Sequence, residues 1–227
     1  MDISFMIEIV PRLLRATWVT LQVSAISLMI GLVFGIVLGV LRVYGNRFIV
    51  WCTKGFVIVA RGTPAAIQIY AAFFLLPRLG IRLPLFAVGV VALTFNTSGY
   101  QVEIVRAALE SIDKGQIEAG LAIGLTRWKT MLYITLPQAV KRMMGPMTNE
   151  FANLIKASSA LMLISLYELT KSGHAIIAAT FKYAEVLVLV ALFYFVLVQS
   201  LCKLSAYLEN NVFNFGKTAD PRNEFLN

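Results

Sequence analysis

Histidine occurs once and cysteine twice in 227 residues, and only 14% of the side chains are charged. Each shortage removes a class of function. His174 has no second histidine or cysteine at metal-ligand spacing, and no Gly-x-Ser-x-Gly elbow accompanies it, so neither a zinc site nor a hydrolase site is expected and no catalytic or metal-binding residue is assigned. Gly216-Lys217-Thr218 ends like a phosphate loop, but Asn211 stands where the first glycine belongs and no strand precedes it. The formal charge of +8 comes with no nucleic-acid reader motif and no aromatics interleaved with a basic stripe.

What the chain has in quantity is apolar sequence, with 59% of residues hydrophobic, more than an ordinary soluble surface allows. Crossing a hydrocarbon core takes about 20 residues. Five runs qualify, at 17–41, 48–76, 83–105, 149–169 and 186–204. The expected fold is an all-α membrane protein, a single transmembrane domain over 1–227 whose five helices are joined by a loop at 111–142. The first run is too long for a signal peptide, and Arg42-Val43-Tyr44 follows it in place of a small-residue cleavage site.

Cations are distributed unevenly around these runs. With the N-terminus outside, the inner segments hold Arg42, Arg47, Lys54, Arg106, Lys114, Arg127, Lys129, Lys141, Arg142, Lys203, Lys217 and Arg222, twice as many as the outer ones, which hold Arg12, Arg15, Arg78, Arg82, Lys171 and Lys182. The positive-inside bias therefore predicts an external N-terminus and a cytoplasmic C-terminus. Cys52 and Cys202 then lie near reducing inner ends and read as packing residues, not a disulfide.

Within the runs, Gly31, Gly35 and Gly39 recur every fourth residue and stack on one helix face, a seam for another backbone. Arg61-Gly62-Thr63-Pro64 interrupts the second run, because proline removes a donor and disfavours helix at the residue before it. Irregular backbone at membrane depth must be buried or line a wet cavity. The break therefore marks a pathway, or else a shifted helix end with Arg61 reaching for the interface. Polar groups gather at Asn96, Thr97, Ser98, Gln101 and Glu103, and again at Asn149, Glu150, Asn153, Lys156, Ser158 and Ser159. Uncompensated charge at mid-bilayer costs on the order of 3 kcal/mol. Asn153, Lys156 and Ser158/Ser159 share roughly one helix face, which binds a polar solute, pairs with Glu103 or Glu150, or leads into a helix that starts later.

Between the third and fourth runs lies EAGLAIGLTRWKTMLYITLP, Glu118 to Pro137. It reads as two short helices about a glycine: Ile117 and Leu121 form an apolar edge, Gly124 ends the first helix in a left-handed conformation, and Thr126 caps the second. Trp128, Met131, Leu132 and Thr135 keep helical spacing until Pro137 limits continuation. On the predicted topology this unit faces the cytoplasm, and its apolar edge needs a cover.

The spacing Glu118-Ala119-Gly120, three residues, Gly124, nine residues, Ile134-x-Leu136-Pro137 resembles the cytoplasmic loop of the permease subunits of polar amino-acid ABC importers, with Gly120 replacing an alanine. The resemblance extends to Arg61-Gly62-Thr63-Pro64, to Tyr100 through Arg106, to Ser111-Ile112-Asp113-Lys114-Gly115-Gln116 and to Glu168-Leu169-Thr170. It implies a type I ABC importer permease fold in a bacterial inner membrane. It implies that Glu118, Ala119, Gly120, Gly124, Ile134, Leu136 and Pro137 dock an ATPase subunit present in two copies, and that ATP and magnesium belong to that subunit, with no cofactor on this chain. A second permease chain, identical or paralogous, and an extracytoplasmic amino-acid-binding protein complete the expected assembly. By the same analogy the solute pathway involves Thr63, Gln68, Asn96, Thr97, Glu103, Lys156, Ser159 and Glu185, since an amino acid's ammonium and carboxylate need an acid and a cation. Where relatives have Lys-Asp-Thr-Ser, Lys156 is followed by Ala157-Ser158-Ser159, which removes one acid. An ion-coupled carrier for a small polar solute is the alternative, but such a carrier has no reason for the spaced loop.

Overall fold

In the computed structural model, which describes residues 2–211 with side chains to Tyr207, every regular element is helical. Gly216-Lys217-Thr218 and the tail cations Lys217 and Arg222 lie outside the described residues. The first helix, α1 (Ile3–Tyr44), begins where the Asp2 carboxylate accepts from Phe5 N–H at 3.0 Å, well before the run expected at 17–41. Its extra turns pack against α8 (Leu169–Thr180) and α9 (Tyr183–Asn211) through Ile9, Leu13, Ile176 and Val186. At the same end, Lys182 Nζ donates to Asp2 Oδ2 at 2.6 Å and holds that carboxyl below its usual range, aided by the Phe5 N–H.

The second run is broken, as the sequence predicts. Helix α2 (Arg47–Gly62) and α3 (Ala65–Arg78) meet at 104° across Thr63 and Pro64, both in extended backbone. Gln68 fastens the corner: its Nε2 donates to Ala60 O at 2.8 Å and to Thr63 Oγ1 at 2.7 Å, supplying a donor where the proline cannot. Next, α4 (Leu85–Glu110) lies against α1 along the glycine seam. A Cβ on Gly31, Gly35 or Gly39 would come within 2.8 Å of Thr97, 2.6 Å of Gln101 and 2.6 Å of Val105 respectively. Such close approach replaces the hydrophobic drive that lipid cannot supply, and interhelical bonds add to it: Ser27 Oγ to Val90 O at 3.3 Å and Gln101 Nε2 to Leu28 O at 3.3 Å.

After α5 (Lys114–Ala122), helix α6 (Arg127–Thr130) passes through a π turn at Met131–Thr135 directly into α7 (Leu136–Ala157). Pro137 does not end the helix as its type suggests. The π turn moves the hydrogen-bond ladder by one residue, with Leu136 N–H on Met131 O, and Pro137 enters as a first-turn residue of α7 that needs no donor. The run expected at 149–169 is also not one helix. Ser158 and Ser159 bond back to Ile155 O and Lys156 O, each at 2.7 Å, and tighten the chain into a 3₁₀ segment at Ser158–Ile164. Ser165 (φ 63°) closes that segment, and α8 then starts under a new cap at Glu168.

Among the described residues, α1, α4 and α9 are long and apolar enough to cross a membrane, and the bent α2–α3 pair makes a fourth such unit. The central core, around Val23, Ile69, Leu93, Leu154 and Leu161, joins the break, α4 and the end of α7, so it fixes the backbone around the site. Both cysteines are free, and Cys52 is exposed on α2, not packed.

Candidate functional site

Close packing at the helix break sets the first functional side chain. Gly99 on α4 lies so near α2 that a Cβ there would meet Ala60 Cβ at 2.6 Å. The next residue on each helix is thereby brought face to face, with the Arg61 guanidinium 5.0 Å from the centre of the Tyr100 ring. That distance suits a cation–π contact. Across from them α7 supplies Glu150, whose Oε1 accepts from Thr97 Oγ1 at 2.8 Å. Arg61, Tyr100, Glu150, Asn96 and Asn153 line a cavity of about 500 Å³, completed by the backbone corner Gly62–Ala65 and by Leu154 and Ala157 of α7. A second cavity of about 380 Å³ shares Arg61, Tyr100 and Glu150 as one wall and continues between α4 and α7.

Of the solute-pathway residues expected from sequence, Thr63 and Asn96 line the first cavity. Gln68 and Thr97 are buried behind it, one holding the corner and the other holding Glu150. Glu103 lines the second cavity and is engaged by Arg42 of α1 and by Arg106, whose Nη2 lies at 2.9 Å. Lys156 is exposed on α7, Ser159 bonds its backbone, and neither lines either cavity. Glu185 sits at the start of α9, where it accepts from Asp2 N–H at 3.3 Å. In the first cavity the acid and the cation are therefore Glu150 and Arg61. Spacing could have found them: Asn96 and Tyr100 are one turn apart, and Glu150, Asn153 and Ala157 follow the i, i+3, i+7 rule on α7.

The loop expected at 111–142 is built from the same kind of local rules. Helix α5 opens on Asp113, whose carboxylate accepts from Gly115 N–H at 2.6 Å. It closes in a Schellman motif: Gly124 at φ 86° donates to Leu121 O at 3.0 Å, and Leu125 donates to Gly120 O at 3.1 Å. Thr126 then caps α6, accepting from Lys129 N–H at 3.3 Å. Gly120 is buried in the angle between α5 and the π turn, where a Cβ would meet Ile134 Cδ1 at 2.7 Å and Thr130 Cγ2 at 2.9 Å. Its replacement of alanine thus closes the two helices on each other. Glu118 and Ala119 stay exposed, Ile134 packs inward, and Leu136 and Pro137 begin α7. Leu121, Ile123, Trp128, Leu132 and Tyr133 are uncovered, Ile123 to 77% and Tyr133 to 68%.

Three comparisons bear on this arrangement. Residues 31–212 match the family model described as binding-protein-dependent transport system inner membrane component. The glutamine transport system permease protein GlnP of Escherichia coli (strain K12) is 37% identical over 205 residues, covering 89% of this chain and 94% of that protein. The arginine transport system permease protein ArtQ of Bacillus subtilis (strain 168) is 35% identical over 213 residues, covering 93% and 97%. Among solved structures, a chain of an amino acid ABC transporter crystallised with histidines superposes with a TM-score of 0.86 at 29% identity, covering 93% of this chain and 99% of that one. The MetNI methionine ABC transporter in an inward-facing form superposes at 0.76 with 23% identity, a likeness of fold.

Proposed function

This chain belongs to the family of binding-protein-dependent transport system inner membrane components, and we propose that it is the membrane-spanning permease subunit of an ATP-driven importer of polar amino acids. The observation that carries the reading is the pairing of a cavity holding one guanidinium and one carboxylate with a folded docking loop whose apolar face is bare. An ion-coupled carrier explains the cavity but not the loop.

In this reading the chain crosses the membrane five times, with the N-terminus outside and α5–α6 in the cytoplasm. The α2–α3 pair and the α7 segment count as two of the crossings. Two permease chains, identical or paralogous, pair with two copies of an ATPase subunit that binds ATP and magnesium, and an extracytoplasmic binding protein delivers the solute. The residues Glu118 to Gly124 and the exposed Leu121, Ile123 and Trp128 seat in the ATPase, and ATP-driven closure of that subunit is passed to α7 through the unbroken α6–α7 helix. In the cavity Arg61 takes the solute carboxylate, Glu150 takes the ammonium, and Asn96 and Asn153 meet the polar side chain. Thr63 and Gln68 hold the corner that presents Arg61, and Thr97 orients Glu150. Glu103 is an ion-pair residue of the cytoplasmic half, while Lys156, Ser159 and Glu185 belong to the surfaces around the pathway.

The test is recovery of the complex in mild detergent through a C-terminal tag, with ATPase assay. An ATPase chain co-purifies with the wild type and is lost with Gly124→Asp, which puts a branched, charged side chain at a left-handed residue on the docking face. Glu118→Lys weakens the same contact. Retention of the ATPase and normal ATP-dependent uptake in both variants would refute the reading.

A further inference from the structure

The two cavities meet at a wall made of Arg61, Tyr100 and Glu150. Below that wall the second cavity follows single faces of two helices. On α4 it touches Tyr100, Ile104 and Ala107, with Ser111 at the helix's C-cap, and on α7 Glu150, Pro146 and Arg142, each set at helical spacing. From Tyr100 to Ser111 the helix rises about 16 Å, half the thickness of a bilayer core. The groove ends where Arg142 donates to Ser111 O, beside the first residues of the docking loop. From the solute cavity to the loop, then, the molecule offers one continuous route between α4 and α7, interrupted where Arg61 lies over Tyr100.

We propose that the Arg61–Tyr100 stack is the cytoplasmic-side gate of the solute pathway and that the α4–α7 groove beneath it is the release channel. The proposal rests on the importer reading and adds to it the residues that close the path. Arg61 is suited to the task because its two partners compete. A guanidinium bound to a solute carboxylate gains a charge-assisted, forked contact stronger than its contact with an aromatic ring. Solute arrival therefore loosens the stack from above. From below, movement of α7 reaches the same wall through Glu150 and reaches the groove's lower end through Arg142. The tight Ala60–Gly99 crossing is the pivot that keeps Arg61 in register with Tyr100.

The experiment is a leak assay on the complete complex of permease, ATPase and binding protein in liposomes, with radiolabelled L-glutamine and L-arginine as probes. ATP-driven uptake by the wild type is measured first. Tyr100→Ala then raises ATP-independent efflux of the accumulated amino acid by about tenfold, the scale of one lost cation–π closure. Tyr100→Phe, which keeps the ring face, shows no such leak. Gly99→Ala gives the leak by another route, since its Cβ displaces Ala60 and with it Arg61. If neither alanine variant assembles, Ala107→Cys in a background of Cys52→Ser and Cys202→Ser reports the channel: an impermeant thiol reagent modifies it from the ATPase side and not from the binding-protein side. A wild type that takes up neither amino acid with ATP overturns the importer reading and the gate with it. A wild type that transports while Tyr100→Ala and Gly99→Ala stay tight, or equal modification of Ala107→Cys from both sides, overturns the gate alone.

Discussion

Glu150 and Glu168 are both buried carboxylates in the same part of the chain, at 7% and 0% exposure, and their surroundings differ in one respect. Glu168 is saturated with donors. It caps α8, accepting from Lys171 N–H at 2.7 Å and Thr170 N–H at 2.9 Å, and it also accepts from Tyr194 O–H at 3.0 Å. The adjoining Leu169 N–H reaches Thr20 Oγ1 at 3.1 Å, so one turn ties α8 to α9 and α1. Glu150 accepts a single hydrogen bond among the described residues, from Thr97, and keeps its remaining capacity toward a cavity that also holds Arg61. A buried acid whose acceptors are all occupied holds structure, and one with acceptors left over in a cavity is available to a ligand.

Substitutions separate the two roles. Glu168→Ala leaves two N–H groups without an acceptor and removes one of the two partners of the Tyr194 phenol, and should lower the stability of the purified complex by about 3 kcal/mol or more, read as a large fall in Tm and loss of assembly. Glu150→Gln keeps an acceptor for Thr97 and removes the charge. It should assemble with unchanged Tm while the affinity for an amino acid falls on the order of 10- to 100-fold, as expected for a lost charge-assisted bond. If Glu150→Gln were the less stable of the two, the contrast would be wrong. Gly35→Ala probes the packed side at the helix seam. Its Cβ would lie 2.6 Å from Gln101 Cβ, and a cost of about 1–3 kcal/mol should show in Tm without a change in solute preference. The smallest effect belongs to the other end of the helix that Glu168 caps. Phe181 closes α8 at φ 57°, a conformation that costs a bulky L-residue about 1 kcal/mol, so Phe181→Gly should raise Tm slightly and leave transport alone.

The sequence is most informative where a feature is local or rigidly spaced. Gly124 and Thr126 behave as their types require, and Arg61-Gly62-Thr63-Pro64 breaks the second run because proline and its predecessor leave the chain little choice. The glycines of α1 mark a close approach in sequence, though only the fold names α4 as the partner. Features that depend on phase or distance stay hidden. The π turn before Pro137 depends on the helix having another register in which the proline is harmless, and composition does not encode that choice. The apolar run at 149–169 has the length of a span, but two serines that bond back to the helix end it early. Glu103 stands out in sequence as an acid in an apolar run, but only the fold names Arg42 of α1 as its partner. Arg61 and Glu150 are visible as charges, but the cavity they share comes from three helices, with α2 set against α4 at the Gly99–Ala60 crossing and α7 tied to α4 by the Thr97–Glu150 bond.

The central claim, that Arg61 and Glu150 read the two charges of an amino acid, is tested most directly by equilibrium binding of radiolabelled L-glutamine and L-arginine to the detergent-purified permease–ATPase complex without its binding protein. Wild type should bind at least one of them saturably, with that binding lost in Arg61→Ala and strongly weakened in Glu150→Gln while both variants keep their ATPase partner. Undiminished binding in both variants would contradict the account and move the solute site elsewhere in the helices.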